Sequence, residues 1–557
     1  MMRGDAAEAE LWARAGALVR EHHIESDADT GPLFDNPPPG CDPEILRRLR
    51  QMYEAGGWVL VESAIADLPA DLRWLFESGA VTIEQLGAMH DGLGITSVAD
   101  MARAVREQRL RTLPGFDADV ESAVDAALPH LRSRIPRVPL GRAVAVAEMV
   151  LEPLRAVPGV LWAVPVGSLR RGQDTVGDVE ILAPTDQPAA AIDALLALPT
   201  SAHVLHRSER RLYLLTDRVQ IGVRLTGPAN AGADLLYLTG SRGHFEALQA
   251  HAAARGLTLN ADGLYAADGT RTAAATETEI YTALGLPCIP PEIRNGTDEV
   301  AIADRGALPA LVSRGDIRGD LHMHSVWSDG RDSIETMVEG CRALGYQYMA
   351  ITDHSQHSAA ARNLTPDGIK KQADEIARLR EQFPDIAILH GCEVDILPDG
   401  RLDFSDKVLE QLDIVLASLH ERAGQPPDQL MERYATAMKH PLVTLITHPT
   451  NRVVPTRRGY DLDYDRLFEM AVETGTVLEI DGSPSHLDLD GVLARRAITV
   501  GATVSIDSDC HRSEMLGRQM DLGILTARRG WVEPRHVLNT RSLAAVQSAI
   551  AAKRAAR

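Results

Sequence analysis

The sequence predicts a multidomain protein with an N-terminal helical region, an α+β middle and a C-terminal barrel of alternating strands and helices. Three observations predict it. The 557 residues are enough for about three or four domains, each able to bury its own core. The texture then changes twice: helix-periodic segments give way after Pro136 to short strand-like runs, and from Arg318 a strand-then-helix unit repeats. Finally, seven apolar strand cores in that last part end in DLHMHS, MAITDHS, AILHGCEVD, IVLASLHE, TLITHP, VLEIDGS and VSIDSDCH. Their spacing of roughly one βα unit argues for parallel strands in a ring rather than a sandwich.

Taken in order, residues 1–75 form an N-terminal helical region, where EILRRLRQMYEAGG alternates apolar and charged positions beside the turn-rich DNPPPGCDP. Residues 76–150 carry two helix-hairpin-helix-like segments, FESGAVTIEQLGAMHDGLGITS and LRTLPGFDADVESAVDAAL. Residues 151–235 hold the strand-like runs VLWAVPVGS, DVEILAP, RLYLLT and RVQIGVRL, and 236–300 are helical and turn-rich. Residues 301–317 read as a linker and 318–557 as the barrel.

Composition narrows the function. With 45% hydrophobic and 24% charged residues the chain has the balance of a soluble protein, and no apolar run reaches the roughly 18 residues of a membrane span. The start lacks a basic segment followed by an apolar one, and the five scattered cysteines form no CxxC pair. A reducing compartment, the cytoplasm, is expected. A net charge of -21 argues against a surface that clamps nucleic acid everywhere, while leaving room for a local basic groove. No lysine precedes Lys370, so lysine Schiff-base chemistry is excluded from the first two-thirds of the chain.

The barrel strand ends collect His322, His324, Asp329, His354, Glu393, His420, His448, Asp509 and His511. Active sites of βα barrels gather at these ends. Imidazole and carboxylate are ligand types for Zn²⁺, Mn²⁺ or Fe²⁺, and nine such groups exceed one ion's needs, so two or three cations are expected, with Glu393 as a bridge. In HxH and in DxH, side chains two apart on a strand share a face. An SDG turn would explain Asp329 equally well. Cys392 and Cys510 alternate away from the ligands and read as packing residues. Cations around one water make phosphoester hydrolysis the natural chemistry.

DLHMHSVWSDG, ITDH, GCEVD, LASLH, ITHP and DSDCH together resemble the PHP (polymerase and histidinol phosphatase) domain across the barrel. The resemblance implies a distorted (β/α)7 barrel with a trinuclear metal site and phosphoester hydrolysis. Carried over, it implies His322, His324, Glu393 and Asp509 around a first metal, Glu393, His420 and His448 around a second, and Asp329, His354 and His511 around a third. Asp329 stands where some relatives have histidine, which implies a third position that is either weaker or suited to a harder ion.

Upstream, VPVGSLRRGQDTVGDVEIL resembles the nucleotidyltransferase palm of family X DNA polymerases. The resemblance implies that Gly167, Ser168 and Arg171 bind nucleotide phosphate and that Asp178 and Glu180 hold Mg²⁺ or Mn²⁺. YLTGSRGHFEALQAHAAARGLTLNADGLY and LGLPCIPPEIRNGTDE resemble the thumb of that family, and the whole order of parts is that of bacterial PolX-type proteins. The chain departs from the pattern in three ways. The third catalytic aspartate aligns with Gly222, unless Asp217 takes its place; glycine cannot hold a cation. Each hairpin turn lacks its second glycine, after Gly79 and after Gly115, and Asp117 would repel a phosphate. The missing lysines exclude deoxyribose-phosphate lyase activity.

The expected function is DNA repair or processing by metal-dependent phosphodiester hydrolysis in the barrel, of 3′-5′ exonuclease or AP-endonuclease type, with polymerase activity weak or lost. The expected partner is DNA with single-stranded or gapped ends, held by Gly79, Gly115, Arg170, Arg242 and a groove of Arg171, Arg207, Arg210, Arg211, Arg224 and Arg294. No protein partner is deducible from the sequence. An active gap-filling polymerase, a small-molecule phosphatase and a DNA-binding scaffold are the alternatives.

Overall fold

A computed structural model describes residues 80–95, 98–128, 137–198, 203–216, 219–358, 363–421 and 424–555, with Leu72 and Leu75. Apart from those two leucines, the expectations for residues 1–75 lie outside the described residues, as do those for Gly79 and Asp217. The chain divides into two compact units, residues 1–136 and 137–557.

In the first unit, Thr82 and Gln85 form a capping box that starts the helix Ile83–Leu93, and Gly94 ends it with φ of 65°. The helices Val98–Arg106 and Ala118–Ala127 follow. Leu86, Met89, Met101, Leu110, Phe116 and Val124 close over one another as a small core, so the apolar spacing expected for helical hairpins is what packs them.

The second unit begins with β1 (Val138–Pro139), paired antiparallel with β3 (Thr175–Val176). The helix Leu140–Arg155 buries Leu140, Ala143, Val146, Ala147, Val150, Leu151 and Leu154 against the palm-like sheet. That stripe has helical period and runs straight through the border expected at residue 150. The palm-like body therefore starts near Arg137, and the earlier border is corrected to Pro136. Its sheet runs β2 (Val164–Pro165), β4 (Val179–Pro184), β7 (Val219–Thr226), β6 (Arg211–Thr216), β5 (His203–Arg207). Only β4 and β7 pair in parallel, with Glu180 opposite Gly222.

The thumb-like part packs the helices Ala231–Thr239, Arg242–Ala253 and Glu277–Ala283 on a meander of β8 (Thr258–Asn260), β9 (Gly263–Tyr265) and β10 (Arg271–Ala273). At its base Glu277 is buried between Arg294 at 2.6 Å and Arg170 at 2.7 Å. Arg294 is fully buried, so it is part of this core and not of a DNA-facing groove. Arg170 likewise spends its guanidinium on Glu277 and the Thr239 hydroxyl. An arginine beside a buried acid neutralises it, and sequence position alone does not separate that use from phosphate binding.

The barrel contains β11 (Gly319–Asp320), β12 (Tyr348–Ile351), β13 (Ala387–Asp395), β14 (Ile414–Ser418), β15 (Leu445–Ile446), β16 (Val477–Asp481) and β17 (Val504–Asp507). All seven are parallel and in chain order. The ring nearly closes: Met323 bridges Cys510, the His324 amide donates to the Cys510 carbonyl at 2.9 Å, and the Asn539 side-chain amide donates to both Gly319 and Ile506. Alternate residues face opposite ways, as the strand period requires. Tyr348 and Ala350 join Leu416, Leu445, Val546 and Ile550 in one core, while Met349 and Ile351 join the surrounding helices in another. Cys341, Cys392 and Cys510 are buried in the outer core, in keeping with packing roles for Cys392 and Cys510.

Palm and barrel share a seam. Leu487 and Leu522 of the barrel enter the palm core, and Asp174 on the palm pairs with Arg452 at 2.8 Å and with Arg529. Trp531 of the barrel lies in the thumb core.

Candidate metal centre

All nine predicted barrel residues meet at the C-terminal ends of the strands. Glu393, fully buried on β13, is the hub. Its Oε2 faces His354 Nδ1 at 2.8 Å, His322 Nε2 at 3.5 Å and His324 Nε2 at 3.6 Å. Its Oε1 faces His448 Nε2 at 2.9 Å and His420 Nε2 at 3.3 Å. Asp509 Oδ1 lies 3.1 Å from His324 Nε2 and 3.6 Å from His322 Nε2. Asp329 Oδ1 lies 3.2 Å from His511 Nε2 and 3.5 Å from His354 Nε2. Within these nine residues, three groups have ligand atoms within 4.8 Å of one another: His324, Asp329, His354 and His511; His322, His324 and Asp509; His354, Glu393 and His420.

β11 ends at Asp320 and β17 at Asp507, so His322 with His324 and Asp509 with His511 sit beyond the strands on which they were expected. Asp509 takes φ of 49°, and His448, Asn451 and Leu487 also have positive φ, at 25°, 50° and 48°. Each such non-glycine residue costs about 1–3 kcal/mol, which the surrounding structure must offset, and strain of this kind gathers at functional sites.

Do these residues suit cations? The hydrogen bonds of the outer ring nitrogens answer this. His322 Nδ1 donates to Glu479 at 2.7 Å, His420 Nδ1 to Asp395 at 2.8 Å, and His511 Nδ1 to the Asp509 carbonyl at 3.0 Å. Each acceptor fixes the proton on Nδ1 and leaves Nε2 as a lone pair aimed inward. Inside, the inward nitrogens crowd one another: His322 Nε2 is 3.1 Å from His324 Nε2, and His324 Nδ1 is buried with no partner. Glu393 Oε2 is buried with no hydrogen-bond partner, although Ser418 and Thr447 serve Oε1. An excess of buried acceptors without donors repels itself unless positive charge enters, so the donor set fits divalent cations.

Without cations, that positive charge is supplied by protons. Burial alone would lower the pKa of His322, but Glu479, Glu393 and Asp509 push it well above the ordinary imidazole value. His420 rises to about 9, where burial opposes and Glu393 and Asp395 prevail. Burial would raise Glu393, yet His420, His354 and His322 hold it well below the usual carboxylate range. Cation uptake therefore displaces protons.

Sequence reasoning missed Glu479, Asp395, Asp481 and His486. Strand β16 was the one strand without an expected ligand, and its Glu479 orients His322 and accepts the His448 amide at 2.6 Å. The signal was available: a glutamate inside the apolar run VLEID, buried on both sides.

The palm corner is arranged differently. Asp178 is exposed just before β4, and among the described residues nothing pairs with it. Glu180 is held by Arg224 at 3.0 Å. A Cβ on Gly222 would come within 2.4 Å of Glu180 Oε1 and 2.8 Å of Tyr213 Cε1. The longer acid therefore fills the room beside the glycine. Gly167, with φ of 62°, opens the short helix Gly167–Arg170, Ser168 is half-buried beside it, and Arg171 donates to the Thr239 carbonyl. Among the other arginines of the expected groove, Arg207, Arg210 and Arg211 are exposed. Arg242 is also exposed and pairs with Glu246 at 2.8 Å. In the first unit Gly115 turns with φ of 78°, and Asp117 accepts from the Asp119 and Val120 amides. Those helix-terminal amides are what a phosphate would otherwise take.

Fold and site together define a DNA polymerase X-like core joined to a PHP domain. Family models described as DNA polymerase beta thumb and PHP domain match residues 234–295 and 320–480. The DNA polymerase/3'-5' exonuclease PolX of Bacillus subtilis is 36% identical over 504 residues, covering 90% of this chain and 88% of that one. A probable phosphatase of Caldanaerobacter subterraneus is 29% identical over 212 residues, 36% of this chain and 78% of its own length. Another, from Thermoanaerobacter sp. strain X514, is 31% identical over 212 residues, 36% of this chain and 81% of its own. The chain belongs to the PolX family. No helix among the described residues is long and apolar enough to cross a membrane.

Proposed function

We propose that this protein processes DNA by metal-dependent phosphodiester hydrolysis in the barrel, removing nucleotides from 3′ ends or cutting at damaged positions. The palm and thumb hold the DNA and extend it weakly or not at all. One observation carries the reading: both oxygens of buried Glu393 face imidazoles, five in all, while in the palm Glu180 is tied to Arg224 and Gly222 has no acid to offer. The 3′-5′ exonuclease named in the Bacillus subtilis relative agrees with it.

His322, His324, Asp509 and Glu393 would hold a first cation, Glu393, His420 and His448 a second, and Asp329, His354 and His511 a third. Zn²⁺, Mn²⁺ or Fe²⁺ suits this donor set. Bound there, divalent ions lower the pKa of water and neutralise charge on phosphoryl oxygens. The protein's own part is orientation. Glu479 and Asp395 hold two rings in the tautomer that presents Nε2, and Ser418 and Thr447 fix the Glu393 carboxylate.

The test is degradation of 5′-labelled single-stranded DNA and gapped duplex with Mn²⁺, comparing wild type, His322→Ala and Asp178→Ala. His322→Ala should lose cleavage and Asp178→Ala should keep it. Equal degradation by wild type and His322→Ala sinks the proposal. The phosphatases among the relatives support a second reading, monoester hydrolysis of a small molecule. Faster phosphate release from histidinol phosphate than cleavage of DNA would favour it.

A further inference from the structure

His322, His420 and His511 share one device, an outer Nδ1 proton held by an acceptor so that Nε2 faces inward. A fourth histidine outside the nine is built the same way. His486, half-buried in the turn after β16, donates from Nδ1 to the Arg452 carbonyl at 2.9 Å, which leaves its Nε2 without a proton in the neutral ring. Its ring stacks on His448, with centroids 5.3 Å apart and planes at 23°.

We propose that Asp481, His486 and Asp509 form an additional divalent-cation position, beside the main centre and sharing Asp509 with it. The proposal rests on reading the barrel as a metal centre. Donor atoms of these three residues lie within 4.8 Å of one another. Asp481 is fully buried at the end of β16. Its Oδ1 takes the Ser483 amide at 2.6 Å, and its Oδ2 is buried with no hydrogen-bond partner. Two carboxylates and one ring nitrogen without a proton thus converge, and Asp481 Oδ2 among them has no donor. Such a set repels itself in a buried site and is relieved by a cation.

The chemistry of the set selects the ion. Two oxygen donors and one imidazole suit a harder, more exchangeable ion than a set rich in imidazole, so Mn²⁺ is the expected occupant. Three side chains do not complete an octahedral shell, so water or a phosphate oxygen of the substrate supplies the rest. The position also lies on the palm side of the barrel. Arg452, whose carbonyl fixes His486, pairs through its guanidinium with Asp174, three residues after Arg171.

The full-length protein, stripped of metal and equilibrated with Mn²⁺, should be compared with His486→Ala and Asp481→Asn by counting bound Mn²⁺ per chain. Circular dichroism would confirm that the fold is kept, and Asp481→Asn is isosteric should His486→Ala fail to fold. Each folded variant should bind about one equivalent fewer than wild type and retain the others. An unchanged count in either folded variant overturns the proposal. Loss of every cation overturns it too, because it would make these residues supports of the main centre. If wild-type protein itself binds no Mn²⁺, Zn²⁺ or Fe²⁺, the reading of the main centre fails instead, so the two failures are told apart.

Discussion

The palm and the barrel both bring acids to strand ends, and they treat those acids in opposite ways. On β4 the Glu180 carboxylate is neutralised by Arg224 at 3.0 Å and fills the space beside Gly222. In the barrel Glu393 is more deeply buried, yet its Oε2 has no hydrogen bond and both its oxygens face ring nitrogens. A satisfied acid is structure. Buried acceptors left unsatisfied by the protein suit a cation, because desolvation makes them costly until positive charge enters. The difference between the two regions lies in what surrounds each carboxylate, more than in how many acids each region has.

The largest effect that could break this contrast is expected at the hub. Glu393→Gln keeps the shape and removes the charge that faces five imidazoles. Mn²⁺-dependent DNA cleavage should fall by at least about 10³-fold, the scale expected when a group stabilising the reacting charge is lost. Bound metal should fall with it. Cleavage within tenfold of wild type would place the chemistry elsewhere in the chain.

The nine barrel residues were legible because strand ends in a βα barrel converge whatever their distance in sequence, and His and Asp recur there in DLHMHS and DSDCH. Apart from Glu479, what fixes those residues was not legible. Asp395 reads as the last residue of the strand AILHGCEVD, and nothing in that run says that it holds His420 Nδ1 at 2.8 Å. The partner is 25 residues away and depends on the register of β13 against β14, which pairs Asp395 with Ser418. Arg294 was misread for the same reason: its partner Glu277 comes from another element. The palm border was misplaced for a different one, since the helix Leu140–Arg155 is periodic on both sides of residue 150.

A smaller effect sharpens the contrast between ligands and their supports. Asp395→Asn keeps an acceptor for His420 Nδ1 and removes its charge, so the ring stays placed while its nitrogen becomes less basic. Outer partners of this kind are worth about 10–100-fold in metal affinity or activity. Competition with a chelator should show weakening in that range without loss of the other cations. An affinity equal to wild type would reduce Asp395 to a packing role.

The smallest effect is expected in the palm, and it asks whether the missing acid alone separates that corner from a working one. Gly222→Asp restores the third carboxylate in name, but its Cβ would meet Glu180 Oε1 at 2.4 Å and Tyr213 Cε1 at 2.8 Å. Glu180 must then move, giving up Arg224, with two acids crowded together. Overpacking of this kind costs about 1–3 kcal/mol, so thermal unfolding should shift downward and primer extension should not improve. Pairing the change with Glu180→Asp shortens the obstructing side chain and clears the space from the other strand. That double variant should extend a primer with Mn²⁺ faster than wild type, while DNA cleavage by the barrel stays the same. Extension by Gly222→Asp alone, with unfolding unchanged, would mean that Glu180 yields freely, and that the palm differs from the barrel by one side chain rather than by how its acids are held.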